Sequence, residues 1–456
     1  MKIILIFLLL GYNLFSQNPI ILNSADSTLN AALKYLQKTQ INTTKKHQYY
    51  KGEWIVQMDL TEPFFFMHKA QKAQDSNCFN LAAIHNFLSE IYLTDTTKKI
   101  LLPILENAYN EIESYQQDLK FSFWKNLPAN RNLSLFGENK QLLVKRPTNF
   151  KLKSRFINKA ANVPADADDT ALGNTAIFFQ KSILNKSSKL AQPTVFDEYL
   201  DSHRNNRNWY NYIFHRDANS GSFMTWLYPE HNYSSWNVFQ TAFNTLFIFF
   251  PFSSAHPHAN KPWVPFNAND VDVVVNANVL NYLNLTSQAD MSKGYISSTK
   301  MINKRLEKHN WKNGSVYYPN LYHIHFAVSK AFFSGTKQLK PACDVIFEDL
   351  KLSQEPDGGF SSKSYINNQD RIQSTAYALH AMLDLRKCGY LFDKNEIDKA
   401  VTYLNSEAYN TEIGVCWEGG VYFSRGTALR NILFWKSDAY TTALVSRCLQ
   451  KYIESN

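Results

Sequence analysis

Apolar positions recur every three to four residues through most of the chain, the period of a helix with one buried face. Leu29, Leu33 and Leu36 place such a face on residues 29–40, and Leu81, Ala82, Ile84, His85 and Leu88 predict a helix over 78–92. The same pattern predicts helices at 101–115, 166–180, 194–200, 270–283, 300–309, 321–333, 343–352, 373–385, 397–404 and 438–448, with a further apolar stretch at 238–252. Two kinds of helix alternate. One is amphipathic and ends in a polar turn carrying glycine and an aromatic residue. The other is apolar nearly all round and must be buried on every side. In the last third, helix starts recur at about 50–65 residues, the spacing of a repeat array. Six outer and six inner helices predict an all-α (α/α)6 toroid with loop insertions. Runs that alternate over strand length are scarce, so little sheet is expected.

Length and charge narrow this picture. The 456 residues suffice for one such domain. Lys2, the unbroken apolar run 3–10 and a small residue before Gln17 predict a cleavable signal peptide over residues 1–17, followed by a single toroid domain over 18–456. The apolar run is too short for a membrane span, so an exported chain is expected. The net charge of +9 is scattered along the sequence. Without a basic block no nucleic-acid partner is expected, while a weak peripheral contact with anionic membrane surfaces is compatible with the charge. The five cysteines are isolated and odd in number, which predicts no metal cluster. Nor is a cofactor expected.

The candidate chemistry begins at Asp166-Ala167-Asp168-Asp169-Thr170-Ala171, three carboxylates at the start of a buried helix. Two readings fit. Asp166 is an N-cap with Asp168 and Asp169 complementing the helix dipole, or the cluster holds a buried acid whose proton its neighbours retain. Asp270 and Asp272 open another inner helix, followed by Asn276 and Asn278, and the same two readings apply. Inner helices of a toroid run the same way, so their starts share one mouth. Gln373 and Asp438 also open inner helices and are candidates to line it. His323 and His325 lie two apart on a helix and face different ways, so joint metal ligation is not expected. One of them can orient the acid. Trp54, Trp124, Phe360 and Trp417 are expected to pack the repeats.

Gln354-Glu355-Pro356-Asp357-Gly358-Gly359-Phe360, followed by a Ser-Thr-Ala-Tyr-Ala-Leu helix at 374–379, resembles the Gln-Trp repeat of the squalene–hopene cyclase and prenyltransferase superfamily. Gln37 with Gly52 and Trp54, Gln117 with Trp124, and Trp417 with Gly419 are looser copies. The repeat reading covers roughly residues 27–452. Asp166 to Ala171 in turn resembles the Asp-x-Asp-Asp-Thr-Ala motif of class II terpenoid cyclases, which protonate an alkene or epoxide to start a carbocation cascade. The resemblance implies that Asp168 is the proton donor, that Asp166 and Asp169 are its carboxylate partners, and that the substrate is a hydrophobic isoprenoid. Asp270, Asp272, His323, Gln373 and Asp438, placed at the mouth by the toroid arrangement, are the candidate substrate-binding residues. Triterpene cyclases of that family carry two helical domains, and this chain has length for one. Prenyltransferases of the superfamily bind zinc through an Asp-x-Cys, which is missing here. Two other functions fit the same fold: an exported glycan-acting enzyme pairing Asp168 with Asp270 or Asp272, and a toroid that binds without catalysis.

Overall fold

Residues 19–45, 49–61, 71–128, 143–145, 163–186, 188–203, 219–228, 269–308, 315–362, 370–424 and 432–455 are described by a computed structural model. The apolar helices form the centre. They are α2 (Cys78–Thr94), α4 (Ala167–Leu184), α6 (Val273–Leu285), α8 (Tyr322–Phe333), α10 (Arg371–Lys387) and α12 (Asp438–Glu454). Each packs on the next, and α12 closes on α2, so the six make a complete ring. The amphipathic helices lie outside. They are α1 (Pro19–Thr39), α3 (Leu101–Glu113), α5 (Thr194–Asp197), α7 (Tyr295–Glu307), α9 (Lys340–Ser353) and α11 (Lys394–Ser406). The architecture is the expected (α/α)6 toroid. Three outer elements depart from expectation: α1 begins ten residues earlier than its leucine stripe, α7 begins five residues before the expected 300, and α5 is a single turn. The apolar stretch at 238–252 lies outside the described residues, as does the expected signal peptide.

The inner helices are parallel. Phe79 and Tyr440, both at helix starts, have ring centroids 6.2 Å apart, and Glu90 and Arg447, far along the same two helices, form an ion pair at 3.0 Å. The six starts therefore share one mouth.

A four-stranded sheet at that mouth was not anticipated. Its strands are β1 (Val56–Leu60), β2 (Gln71–Asp75), β3 (Val421–Ser424) and β4 (Leu433–Lys436), in the order β2-β1-β4-β3. Antiparallel β1 and β4 pair from Gln57 with Lys436 to Leu60 with Leu433. This joins the first repeat to the last and closes the ring a second time. Burial does not alternate along β1, where only Gln57 is partly exposed, so no period-two pattern announced it.

The repeat turns follow one scheme. The Gln354 amide donates to the Gly358 carbonyl at 3.1 Å and to the Glu396 carbonyl of α11 at 2.8 Å. The Gln40 amide does the same with Gly52 at 3.0 Å and with Ile104 of α3 at 2.9 Å. The glutamine of the first copy is thus Gln40 rather than Gln37. Trp54 and Trp417 each donate their indole N–H to the end of the preceding outer helix, at the Leu36 and Leu404 carbonyls. The backbone N–H groups of Phe121, Phe360 and Trp417 bind the hydroxyls of Thr170, Thr375 and Thr442 in the following inner helix. Thr170, inside the acidic stretch, is therefore part of the repeat fastening.

Candidate active site

The six acidic-stretch residues divide their tasks at the start of α4. Asp166 caps the helix, accepting the Asp169 N–H at 2.7 Å. This satisfies one of the helix's orphan donors. Asp168 is one residue into the helix and buried. Its Oδ1 accepts the side-chain amide of Asn278 from α6 at 2.7 Å, and its Oδ2 is buried with no partner. Asp169 is also buried, and its Oδ1 has no partner.

Burial pushes the Asp168 carboxyl well above the usual carboxylate range, and the Asp166 charge adds to this. The Asn278 hydrogen bond pulls the other way, and Asp272 raises it slightly further. Burial, then Asp166, then Asp168 push Asp169 up in the same sense. A helix start favours negative charge by at most about 2 kcal/mol. Removal of two adjacent carboxylates from water outweighs that. Burial therefore favours the neutral acid form of Asp168, with one oxygen held and the other open to a further contact.

The remaining expected residues fall into two groups. Asp272 caps α6, taking the Val274 and Val275 N–H groups, and also accepts from Ser315 at 3.0 Å and the Val316 N–H at 2.6 Å. It influences Asp168 only through charge. Asp270 accepts the hydroxyls of Thr225 at 2.5 Å and Tyr317 at 2.7 Å. His325 points outwards to Asp349 on α9, at 2.9 Å. Asp438 is exposed and accepts the Gly419 N–H. Gln373 fastens α10 to the Val421 carbonyl and to Thr441. His323 is buried among rings, stacked on Tyr377 at 4.5 Å and edge-on to Tyr318 at 4.4 Å, and its Nδ1 has no partner.

Several further residues at this end escaped the sequence reading. Tyr377 and Tyr440 share a hydroxyl–hydroxyl hydrogen bond at 2.8 Å. Asp75 takes the indole N–H groups of Trp435 at 2.7 Å and Trp124 at 3.1 Å, and burial lifts its carboxyl to about 6. Phe423 on β3 lies within 6 Å of the rings of Phe79, Phe123, Tyr317, Tyr318 and Trp435. These rings come from more than one repeat, so Phe423 helps join them at the mouth. Only the density of aromatics in the loops before the inner helices hinted at them.

Deeper in the ring, Phe87 of α2 meets Phe326 of α8 at 6.0 Å. These helices stand opposite one another, so the axis is closed at that level. Below, Glu90 pairs with Lys330 at 2.6 Å and with Arg447 at 3.0 Å, and Lys451 pairs with Asp384. The inner helices thus concentrate carboxylates at their starts and paired cations towards their ends. Arg371, in the first turn of α10, reaches outwards to Glu355 and Asp357. Among the described residues there is no group of three or more metal-binding side chains, and no helix is long and apolar enough to cross a membrane.

The sequence matches no protein-family model and no curated protein. Solved structures do share its architecture. A variant of the type II terpene cyclase MstE from Scytonema, in complex with geranylgeranyl dihydroxybenzoate as substrate, aligns with a TM-score of 0.54 and 11% identity over 96% of this chain and 100% of that one. A second MstE variant with the same substrate aligns at 0.51 and 12% identity, over 96% and 99%. A protein from Actinoplanes aligns at 0.52 and 12%, over 94% and 99%. At these identities the likeness is one of fold: the chain is similar to terpene cyclases in being an (α/α)6 toroid.

Proposed function

We propose that this protein is a class II terpenoid-cyclase-like enzyme, in which Asp168 protonates an alkene or epoxide of an isoprenoid lipid and so starts its cyclisation. The observation that carries this reading is the division of labour on one carboxyl group. Asn278 holds Oδ1, and the buried Oδ2 has no partner in the protein. An alkene is a very weak base, so its acid must be neutral, fixed and shielded from water. Burial and the Asp166 charge both favour the protonated form of Asp168. The proton leaves Oδ2 for the terminal alkene carbon, and the new carboxylate retains the Asn278 N–H. The faces of Tyr377, Tyr440 and neighbouring rings then stabilise positive charge without offering a strong nucleophile.

The alternative glycosidase chemistry needs a second carboxylate free to act. Asp272 accepts four hydrogen bonds and Asp270 is engaged by Thr225 and Tyr317. This counts against pairing Asp168 with either of them as a glycan-cleaving couple.

The test is incubation of the purified chain with squalene, prenyl diphosphates and a geranylgeranyl arene of the kind bound by MstE, in D2O. The expected result is a cyclised product with one non-exchangeable deuterium, lost with Asp168→Asn. Absence of any cyclised product, or a product unaffected by that substitution, overturns the proposal. We also propose export through removal of residues 1–17. N-terminal sequencing of the protein from fractionated cells would find Gln17 or Asn18 at or beside the mature start, and an intact Met1 would overturn it.

A further inference from the structure

A wall of purely apolar side chains suits a hydrocarbon. Below the acid, the inner face of this ring is not purely apolar. We infer that Asn281 reads a hydroxyl group on the substrate, so that the isoprenoid taken by this site is an alcohol or phenol rather than a hydrocarbon or a diphosphate. This deepens the protonation reading above and rests on it for the reacting end.

Three observations carry it. The first is the accessible wall. Asp168, Leu172, Thr175 and Phe179 stand at i, i+4, i+7 and i+11, on one face of α4. Asp168, Thr175 and Phe179 keep 4%, 3% and 5% of their surface and Leu172 is partly exposed, whereas Thr170, Asn174, Ala176 and Gln180 keep none. On α6 the matching face is Asn278, Asn281 and Leu285, at i, i+3 and i+7. Asn278 and Asn281 keep 9% and 6% and Leu285 is partly exposed, whereas Asn276, Ala277, Val279 and Leu280 keep none.

Both faces are turned to the axis. On the other side of α4, Asn174 holds the Leu119 carbonyl and the Ala191 N–H, and on the other side of α6, Asn276 holds the Phe223 backbone. Those partners lie in the connections to the outer layer. The Asp168–Asn278 hydrogen bond joins the two inward faces near their top. Asn281 is three residues further along the same face, ~4.5 Å deeper than Asn278. Acid and amide therefore line one space.

The second observation is the unpaired amide. Among the described residues the Asn281 side chain makes no hydrogen bond, and its oxygen is enclosed. Its neighbours on the helix are all engaged. Asn276 bonds the Phe223 backbone, Asn278 donates to Asp168, and Asn284 donates to Tyr295 at 3.0 Å and to Thr336. A buried amide without a partner costs free energy. Leu172, Phe179 and Leu285 have no polar atom to offer it, and a ligand group would recover the loss.

The third is chemical fit. A carboxamide presents an acceptor oxygen and donor N–H groups side by side. A hydroxyl both donates and accepts, so it satisfies either atom. An ionised diphosphate only accepts and leaves the amide oxygen unpaired. A hydrocarbon satisfies neither atom.

The experiment gives the purified chain farnesol, geranylgeraniol and a geranylgeranyl phenol, each beside its analogue with hydrogen in place of the hydroxyl. Binding is followed by calorimetry and turnover by mass spectrometry, for wild type, Asn281→Leu and Asn281→Ala. At least one alcohol or phenol is expected to bind wild type about 100-fold more tightly than its analogue. In both variants that preference should fall at least about tenfold, in KM rather than in kcat. No hydrogen bond within the described residues is lost in either variant, and alanine decides the matter if leucine overfills the space. An unchanged preference in a folded variant, or a wild type that binds the analogues as tightly, overturns the role of Asn281 and leaves the acid intact. Binding that depends on Asn281 without any cyclised product overturns the acid and leaves the hydroxyl subsite standing.

Discussion

Asn278 donates its amide to Oδ1 of Asp168 at 2.7 Å, across the interface between the second and third inner helices. This bond selects Oδ2 as the oxygen that faces the unfilled contact. It also ties acid geometry to the packing of α4 on α6. Asn278→Leu is expected to retain the fold but to lower kcat by about 10- to 100-fold with little change in KM, because the acid loses its orientation. Steady-state kinetics on an isoprenoid substrate would check the split.

The same carboxyl groups set a pH dependence of stability. Asp168 and Asp169 bind their protons more tightly folded than unfolded, where the carboxyl value is about 3.9. Above that pH the folded state holds more protons, so these groups lower stability as pH rises towards their folded values. The variant Asp168→Asn/Asp169→Asn removes this cost. It should gain roughly 1–3 kcal/mol relative to wild type at pH 8 and less at pH 5. Thermal or urea unfolding at the two pH values measures it, and an equal gain at both would refute the assignment.

The paired charges deeper in the ring have the opposite profile. Lys330 and Arg447 hold Glu90 at about 2 against the desolvation that burial imposes, and Lys451 holds Asp384 below its ordinary range. Their stabilisation is present above about pH 4.5 and is lost as pH falls towards 2. Lys451→Met leaves Asp384 and His380 buried without their cation and should cost about 3–5 kcal/mol. Adding Asp384→Leu should restore much of the loss. Urea denaturation of the single and double variants checks both statements.

The repeat fastening is open to a paired test. Gln40→Ala removes two hydrogen bonds from buried carbonyls and should destabilise by about 1–3 kcal/mol. Gln37→Ala, at a partly exposed position three residues earlier, should lie within about 0.5 kcal/mol of wild type. Similar losses for both would mean that the first repeat is fastened differently.

Two glycines separate backbone strain from close packing. Gly358 has φ +91° and a Cβ there would lie 2.4 Å from the Lys399 carbonyl oxygen, whereas Gly389 has φ +98° with nothing within 4 Å. Gly389→Ala should cost only the left-handed penalty, about 1–2 kcal/mol. Gly358→Ala should cost clearly more, because the α11 backbone must move. Melting temperatures of the two variants order them.

Much of the architecture was legible from local pattern. The alternation of amphipathic and fully apolar helices predicts an outer and an inner layer, and an element apolar on all sides has no other stable place. Asp166 as N-cap was likewise readable, since capping acts over three residues. The strands were not, because β1 and β4 are bound by partners more than 370 residues apart in sequence. The glutamine of the first repeat was misplaced from Gln40 to Gln37 because the fastening depends on where the helix ends and which carbonyls the next outer helix presents.

The sequence by itself determined the toroid, the acidic helix start and the supply of aromatic rings, for these follow from periodicity and short-range chemistry. Only the tertiary structure decided that Asp168 and Asp169 are the carboxylates of this helix start that keep an open oxygen. Asp166, Asp270 and Asp272 look equivalent to Asp168 along the chain. The ring gives Asp272 four donors, gives Asp270 two hydroxyls and spends Asp166 on the helix end. Asp168 receives one amide from a neighbouring helix. A carboxyl's protonation depends on its burial and on donors brought from distant parts of the chain, and those are properties of the closed ring.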